Sequence, residues 1–535
     1  MFACKYLYYL QLSGYNIFSI IKCFWYGFIK QKMLYFLFVF YSVLSLCLAL
    51  FFQVNLYLVF TSFQCLLTLM FLNEFKLIKK VKFTKRMIRL FSCFLILYFV
   101  ISTLIFSLVV SSNFIHFLYL ILLLALPFVL IISLVILMPL EKLIANYFIN
   151  KAKFNLGKSD LFKIGITGSF GKTSVKEILV AILKEKYNIL YTKNSFNTPL
   201  GVAKTVNENF SNLNELFVCE MGAKKVGDIN YLCKMIDVNC GIVTSVGRQH
   251  MQYFKSIDNV YNTKKELPDY VKNGFCVFNL MDKYVTKMFN DFRGERIGVY
   301  LSLQSNLKHI RCIKSRILCY SSLKLKGVFY FYPRTNCFSA RRIEVSSAGT
   351  SFNVYCGNEF LFECSCKLIG IHNIINILLA VAMAIKLGVS VDTIRMSLKK
   401  IDKIAARTEI YNLDSGGIVI NNGYNSNIDS AKFSLMTLSL YKSRRKIVVT
   451  PGLIETDNDY LYNKKFAILV AKYADEVVVV KNKNKKAICD GLVDAKFNME
   501  NVSYASSFSE IKNKIYSLDD NYVCLIENDL PDNFD

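Results

Sequence analysis

The residues best placed to do chemistry are eight in a row, Thr167-Gly168-Ser169-Phe170-Gly171-Lys172-Thr173-Ser174. Glycines let backbone N–H groups approach phosphate oxygens, and a helix starting behind them adds a favourable dipole. In such a loop Lys172 reaches the β- and γ-phosphates of a nucleotide, and the Thr173 hydroxyl binds magnesium. The strict spacing asks for a glycine five residues before Gly171, where this chain has Ile166. The residues alone therefore leave an ordinary Gly-rich turn as the alternative. Order favours the phosphate loop: Phe162 to Ile166 predicts a strand, and Val175 to Lys184 predicts a helix.

Further along, Glu220 follows a predicted strand, Leu216 to Cys219. His250 follows an apolar stretch, Lys264 and Lys265 are adjacent, and His372 and Asn373 open an apolar helix predicted over Ile374 to Leu387. Taken singly, each has a plain reading. A Glu at a strand end is a solvated loop residue, a His there is a hydrogen-bonded structural group, paired lysines are a helix face, and His372-Asn373 is a helix cap. Asn425 and Asn427 read as turn residues. The phosphate loop upstream shifts the balance toward function for Glu220 and His250, and for Lys264 over Lys265.

These residues need a frame. With 535 residues the chain exceeds one core, so two or three domains are expected. The hydrophobic share is 54% and the mean hydropathy +0.35, concentrated before about residue 140. Met33 to Phe52, Leu56 to Leu72, Leu90 to Val110 and Phe114 to Met138 are apolar runs, each close to the ~20 residues that cross a bilayer as helix. A cleaved signal peptide would be shorter and single. The loops 53–55 and 111–113 are uncharged, whereas 76–89 carries seven Lys or Arg and more lysines flank the first and last runs. Four spans with both ends in the cytoplasm put every basic segment on one side. Residues 1–30 read as an interfacial helix. The spans lack acidic residues, which argues for anchoring rather than transport.

After Pro139 the pattern becomes short apolar strands alternating with amphipathic helices, which predicts an α/β fold with a mostly parallel sheet. The net charge of +26 fits an anionic membrane or anionic substrates as well as AT-rich codon usage. Zinc-finger spacing and RNP-like boxes are absent, so nucleic acid is not an expected partner. The 17 cysteines include no Cys-x-x-Cys, which suits a reducing cytosol. Cys364 and Cys366 fall on one face of a predicted strand as apolar filler.

The loop Thr-Gly-Ser-x-Gly-Lys-Thr resembles the Mur ligase superfamily, which builds peptide stems on cell-wall precursors. Colinear segments extend the resemblance over roughly residues 160 to 535. They are Asn194 to Gly201, Glu220-Met221-Gly222-Ala223, Thr244 to His250, Lys264-Lys265-Glu266, Gly370-Ile371-His372-Asn373-Ile374-Ile375-Asn376, Arg407, Tyr424 to Ser430, Thr450 to Glu455, and Glu527 to Asn533. Glu-Met-Gly-Ala and the Tyr424 segment are similar to the MurF branch, which adds D-alanyl-D-alanine. The apolar runs give N-terminal transmembrane helices (1–155), and the resemblance implies a phosphate-loop Mur ligase central domain (156–405) and a Rossmann-like C-terminal domain (406–535) after them.

The family moves the γ-phosphoryl of ATP onto a carboxylate, and an amine attacks the acyl phosphate. Carried over, Thr167, Gly168, Ser169, Gly171, Lys172, Thr173, Ser174, Asn373 and Arg407 would contact nucleotide. Thr173 and Glu220 would hold the first of two magnesium ions. His250 and an N-carboxylated Lys264 would serve the second, and Asn425 and Asn427 would face the incoming amine. The implied partners are a muramyl-peptide precursor and a D-alanyl-D-alanine-like amine, at the bacterial cytoplasmic membrane with the catalytic domains in the cytoplasm. Two departures stand out. Asn422 occupies a position where many MurF sequences have Asp, and membrane-type sequence occupies the length of the family's UDP-sugar-binding domain. They leave two other expectations, a ligase or amidating enzyme on a lipid-linked acceptor and a noncatalytic scaffold for cell-wall enzymes.

Overall fold

The computed structural model describes Leu7, Leu10, Gln11, Tyr15 and residues 83–109, 126–193, 195–248, 251–272, 274–302, 336–401, 409–423, 428–453, 458–481 and 483–528. The predicted spans at 33–52 and 56–72 and the start of the fourth lie outside these. The chain divides into two compact units, one ending at Tyr147 and one opening at Phe148.

The first unit contains helix α1 (Lys85–Val109) and most of α2 (Leu126–Gly157). Met87, Leu90 and Phe94 of α1 pack with Val129, Leu130 and Leu134 of α2 and with Leu7 and Leu10. Arg89 donates to Glu141 at 2.6 Å, and Arg86 lies 3.7 Å from the same carboxylate. The expected change of pattern after Pro139 does not occur there: α2 runs on through Pro139 to Gly157. A proline removes one intrahelical bond, and burial beyond it outweighs that loss, because Ile149, Ala152 and Leu156 join the core of the second unit.

The central sheet of the second unit has the order β2-β3-β1-β4-β5-β6-β7-β8-β9. Its strands are β1 (Phe162–Thr167), β2 (Ile189–Tyr191), β3 (Leu216–Glu220), β4 (Cys240–Val243), β5 (Phe275–Asn279), β6 (Glu295–Leu301), β7 (Cys337–Ser346), β8 (Gly349–Cys356) and β9 (Glu359–Cys366). Neighbours through β7 run parallel, and β7 to β9 form an antiparallel extension. Parallel strands are covered on both faces and so read as continuous apolar runs. In β3, Leu216 and Val218 join one core while Phe217 and Cys219 join the other. Helices α3 (Lys172–Leu183) and α9 (Ile371–Lys386) cover the first face. Helices α4 (Pro199–Asn209), α5 (Asp228–Ile236), α7 (Ile257–Val271) and α8 (Lys283–Asp291) cover the second, and short α6 (Met251–Phe254) precedes α7. Helix α10 (Val391–Lys399) follows α9. Cys364 and Cys366 share one buried face of β9, as their alternation predicts.

The C-terminal sheet has the order β10-β11-β15-β12-β13-β14. It comprises β10 (Glu409–Asn412), β11 (Ile418–Asn422), β12 (Arg445–Thr450), β13 (Glu476–Val480), β14 (Val502–Ala505) and β15 (Tyr522–Glu527). All pairs are parallel except β10 with β11. Helices α11 (Ile428–Leu438), α12 (Asp459–Val470), α13 (Lys485–Asp494) and α14 (Phe508–Tyr516) complete it.

One packing detail places a candidate residue. Gly165 of β1 and Gly241 of β4 are paired across the sheet, and Leu267 of α7 lies against both: a Cβ at either would sit 2.9–3.0 Å from its side chain. The glycines let α7 approach the sheet closely, which fixes Lys264 one turn earlier. Gly165→Val is expected to push α7 outward and to destabilise by about 1–3 kcal/mol, the usual range for overpacking. A thermal melt unchanged from wild type would contradict this packing.

Candidate active site

β1 delivers Thr167, fully buried, to the carboxyl edge of the central sheet. The loop after it turns on Gly168 at φ 149° and Gly171 at φ 80°. A Cβ at Gly168 would meet the Thr244 hydroxyl at 1.9 Å, and one at Gly171 would meet Asn376 Oδ1 at 2.7 Å. The loop is tied to the segment after β4. Ser169 N donates to Ser245 O at 2.8 Å, Phe170 N to Ser245 Oγ at 2.9 Å, and Gly247 N to Ser169 Oγ at 3.0 Å. The Thr244 hydroxyl bonds the Phe170 carbonyl. Helix α3 starts at Lys172 rather than Val175, because left-handed Gly171 ends the loop and lets the next residue enter the helix. Lys172, Thr173 and Ser174 thus occupy its first turn, where backbone N–H groups lack intrahelical partners. Lys172 Nζ lies over the loop, 2.6 Å from Gly168 O and 3.3 Å from Ser169 O.

β3, the neighbour of β1, ends at Glu220, which is 1% exposed. Thr173 Oγ1 donates to Glu220 Oε2 at 2.9 Å, and Asn197 Nδ2 donates to Glu220 Oε1 at 3.0 Å. Glu220 N donates to Thr192 Oγ1 at 3.0 Å. Gly222 makes room for this arrangement, since a Cβ there would sit 2.5 Å from Asn197 Oδ1. Thr173 and Glu220, paired by resemblance alone in the sequence, are therefore in direct contact. A hydroxyl and a carboxylate are hard oxygen donors, which suits magnesium. That ion is usually held by one or two protein groups together with substrate phosphates and water. Consistently, no group of three or more His, Cys, Asp or Glu is gathered among the described residues.

Lys264 is 3% exposed. Burial brings its pKa down to about 7, and the positive charge of Lys172 adds to the effect against Glu266 and Asp228. Lys265 is only half-buried. Asn373 lies in the first turn of α9, buried, with Nδ2 on Ile369 O at 2.9 Å, and Asn376 Nδ2 reaches Asn373 Oδ1 at 3.4 Å. His372 packs against Phe433 of the C-terminal domain with ring centroids 5.4 Å apart. His250, Arg407, Asn425 and Asn427 lie outside the described residues.

Sequence reasoning quoted Thr244 and Asn376 within longer segments without giving them a role, and passed over Lys176 and Thr192. Lys176 had one available signal. It stands three residues after Thr173 and in line with Leu179 and Val180, so helical spacing puts it on the buried face.

In the C-terminal domain the ends of β11, β12 and β15 meet in a buried polar cluster. Asn422 Nδ2 lies 3.0 and 3.1 Å from the two Glu527 oxygens and 3.0 Å from Ser434 Oγ. Asn528 N donates to Asn422 O at 3.1 Å. Asn463 and Asn484 bond the backbone around Gly452 and Leu453. Asn422 thus has a physical reason for being an amide, because it supplies N–H to a carboxylate that is fully buried.

The central fold and site have clear relatives. Residues 166–384 match the Mur ligase middle domain. The chain is 28% identical over 302 residues to the UDP-N-acetylmuramoyl-tripeptide--D-alanyl-D-alanine ligase of Buchnera aphidicola subsp. Baizongia pistaciae, covering 56% of this chain and 59% of that one. The Bacillus subtilis protein of the same name is 23% identical over 360 residues, covering 67% and 70%. The chain thus spans less than two thirds of the length of the first of these relatives. Among solved structures, MurF from Acinetobacter baumannii superposes with a TM-score of 0.58 at 19% identity, covering 72% of this chain and 77% of that one. MurF from Thermotoga maritima in complex with ADP gives 0.57 at 18%, covering 72% and 80%. Residues 166–384 accordingly form a Mur ligase middle domain, built around the phosphate loop. In sequence the chain is similar to the D-alanyl-D-alanine ligases named above, and in fold to the MurF structures.

The Asn422–Glu527 pair yields a test. Asn422→Asp would set two carboxylates face to face in a dry site, so one pKa must rise above its unfolded value. Such a group opposes folding increasingly as pH rises above about 4, and the penalty vanishes below that. The variant should melt well below wild type at pH 8 and approach it near pH 5. A pH-independent difference would contradict the buried pairing.

Proposed function

We propose that this chain is an ATP-dependent amide ligase of MurF type, joining D-alanyl-D-alanine or a similar amine to a muramyl-peptide carboxylate. The observation that carries this reading is the contact between Thr173 and Glu220 beside the phosphate-loop lysine. It assembles a magnesium-binding pair where the β- and γ-phosphates would lie. Glycines 168 and 171 and the first turn of α3, from Lys172 to Ser174, present N–H groups to the phosphates. Lys172 neutralises their charge, and Thr173 and Glu220 hold magnesium. A magnesium ion held there would supply charge stabilisation for phosphoryl transfer to the acceptor carboxylate. The relatives' names supply the amine and the acceptor class. His250, Arg407, Asn373, Asn425 and Asn427 keep the roles that the resemblance implies, including a second metal position served by His250.

Lys264 enters through its burial. With a pKa of about 7 a large share of its amine is neutral at physiological pH, unlike an ordinary lysine. A neutral amine attacks carbon dioxide, forming an N–C bond and releasing a proton, and the resulting carbamate turns a cation into a metal-binding anion. A carbamate signal from 13C-bicarbonate should therefore grow between pH 6 and 8, rather than above pH 10, and should vanish in Lys264→Arg. That variant should lose phosphate release by about 100-fold or more, the scale of one preorganised electrostatic group. Activity retained in the arginine variant would refute the carbamate.

We place the catalytic domains on the cytoplasmic side of a bacterial membrane, anchored by four spans. Two supports stand out. Helical stretches Lys85–Leu104 and Phe128–Gly157 are long and apolar enough to cross a bilayer. Their surfaces also leave Leu95, Ile96, Phe99, Ile132, Val135 and Ile136 exposed, as lipid-facing residues are. The decisive experiment is phosphate release by the full chain in detergent, with UDP-linked and lipid-linked muramyl tripeptides and D-alanyl-D-alanine. Release with the UDP-linked acceptor is expected on the relatives' names, and release with the lipid-linked one alone would change the acceptor. No release with any pair, despite ATP binding, would sink the ligase and leave a scaffold.

A further inference from the structure

Lys176 is the largest fully buried charged side chain among the described residues, at 0% exposure. A lysine stays buried and charged only where partners replace the water it loses. Its Nζ donates to Thr192 O at 2.7 Å, and lies 3.0 Å from Glu177 Oε1 and 3.8 Å from Glu220 Oε2. Glu177 is 38% exposed and its pairing is screened by solvent, whereas Glu220 is 1% exposed. The other groups on the Glu220 carboxylate, the Thr173 hydroxyl and the Asn197 amide, are neutral. Thr192 closes the arrangement: its hydroxyl accepts from Glu220 N while its carbonyl accepts from Lys176. Three residues from α3, the end of β2 and the end of β3 thus form one ring around the carboxylate.

We propose that Lys176 is the positioning residue of the metal site, balancing the Glu220 charge in the dry interior and fixing the oxygen that Thr173 shares. Lys176 does not touch the nucleotide; it acts through Glu220. It aims the carboxylate before any metal arrives, so magnesium would meet a formed site. The metal part of this inference rests on the function proposed above.

The test is a double-mutant cycle on the full chain in detergent, without divalent ions, comparing wild type, Lys176→Met, Glu220→Gln and the double variant. Lys176→Met should lower the melting temperature by on the order of 10 °C in the wild-type background, because it strands a buried charge. In the Glu220→Gln background the same change should have a much smaller effect. Equal losses in both backgrounds overturn the proposal, since a lysine that merely bonds Thr192 and Glu177 is missed equally whatever stands at 220. If Lys176→Met does not fold, a folded double variant supports the proposal and an unfolded one overturns it. Calorimetry adds a second readout. Magnesium–ADP binding should weaken by about tenfold or more in Lys176→Met, the scale of a lost supporting group, with metal-free ADP binding unchanged. Equal magnesium–ADP affinity in the two proteins overturns the positioning role. Failure of wild type to bind magnesium–ADP would count against the proposed function, while the metal-free cycle would still report on Lys176 and Glu220.

Discussion

A single carboxylate held out of water organises the phosphate-loop domain of this molecule. Glu220 sits at the end of a strand buried on both faces, where an ion that lost its hydration without replacement would not be tolerated. Each neighbour can be understood as part of that replacement. Thr173 and Asn197 donate to its oxygens, Lys176 balances its charge, and Thr192 anchors its backbone. Gly222 is small so that Asn197 can reach. The parallel sheet makes this economical, because adjacent strands bring the phosphate loop and the acid to the same edge. Open α/β sheets place their ligands there.

The C-terminal domain meets the same difficulty with other means. Its buried acid, Glu527, also ends a central parallel strand, and the amide of Asn422 donates to both of its oxygens, beside asparagines that bond the neighbouring backbone. A lysine, a hydroxyl and an amide meet the Glu220 carboxylate, whereas a single amide spans both oxygens of Glu527.

How much was legible in the sequence follows from how local each signal is. The phosphate loop spans eight contiguous residues between a strand and a helix, so its order survives a missing glycine. The two cysteines of β9 obeyed simple alternation. Lys176 was missed because a lysine in a helix ordinarily reads as solvated, and what buries it is Thr192 and Glu220, far along the chain. Asn422 read as a lost acid because its meaning depends on Glu527, 105 residues away. Pro139 looked like a boundary because proline is a local breaker, while the burial that carries the helix past it lies ten and more residues later. The antiparallel extension β7 to β9 likewise rests on pairings between strands that no short window contains.

The continuity of α2 bears on how the chain can be divided. Domains are commonly joined by a flexible tether that can be cut or lengthened without harm. Here the division between the compact units falls within a helix, and Ile149, Ala152 and Leu156 at its far end are core residues of the catalytic sheet. A soluble version made by trimming back to the first strand would lose a wall of its own interior, and one that keeps the helix from Phe148 onward would not.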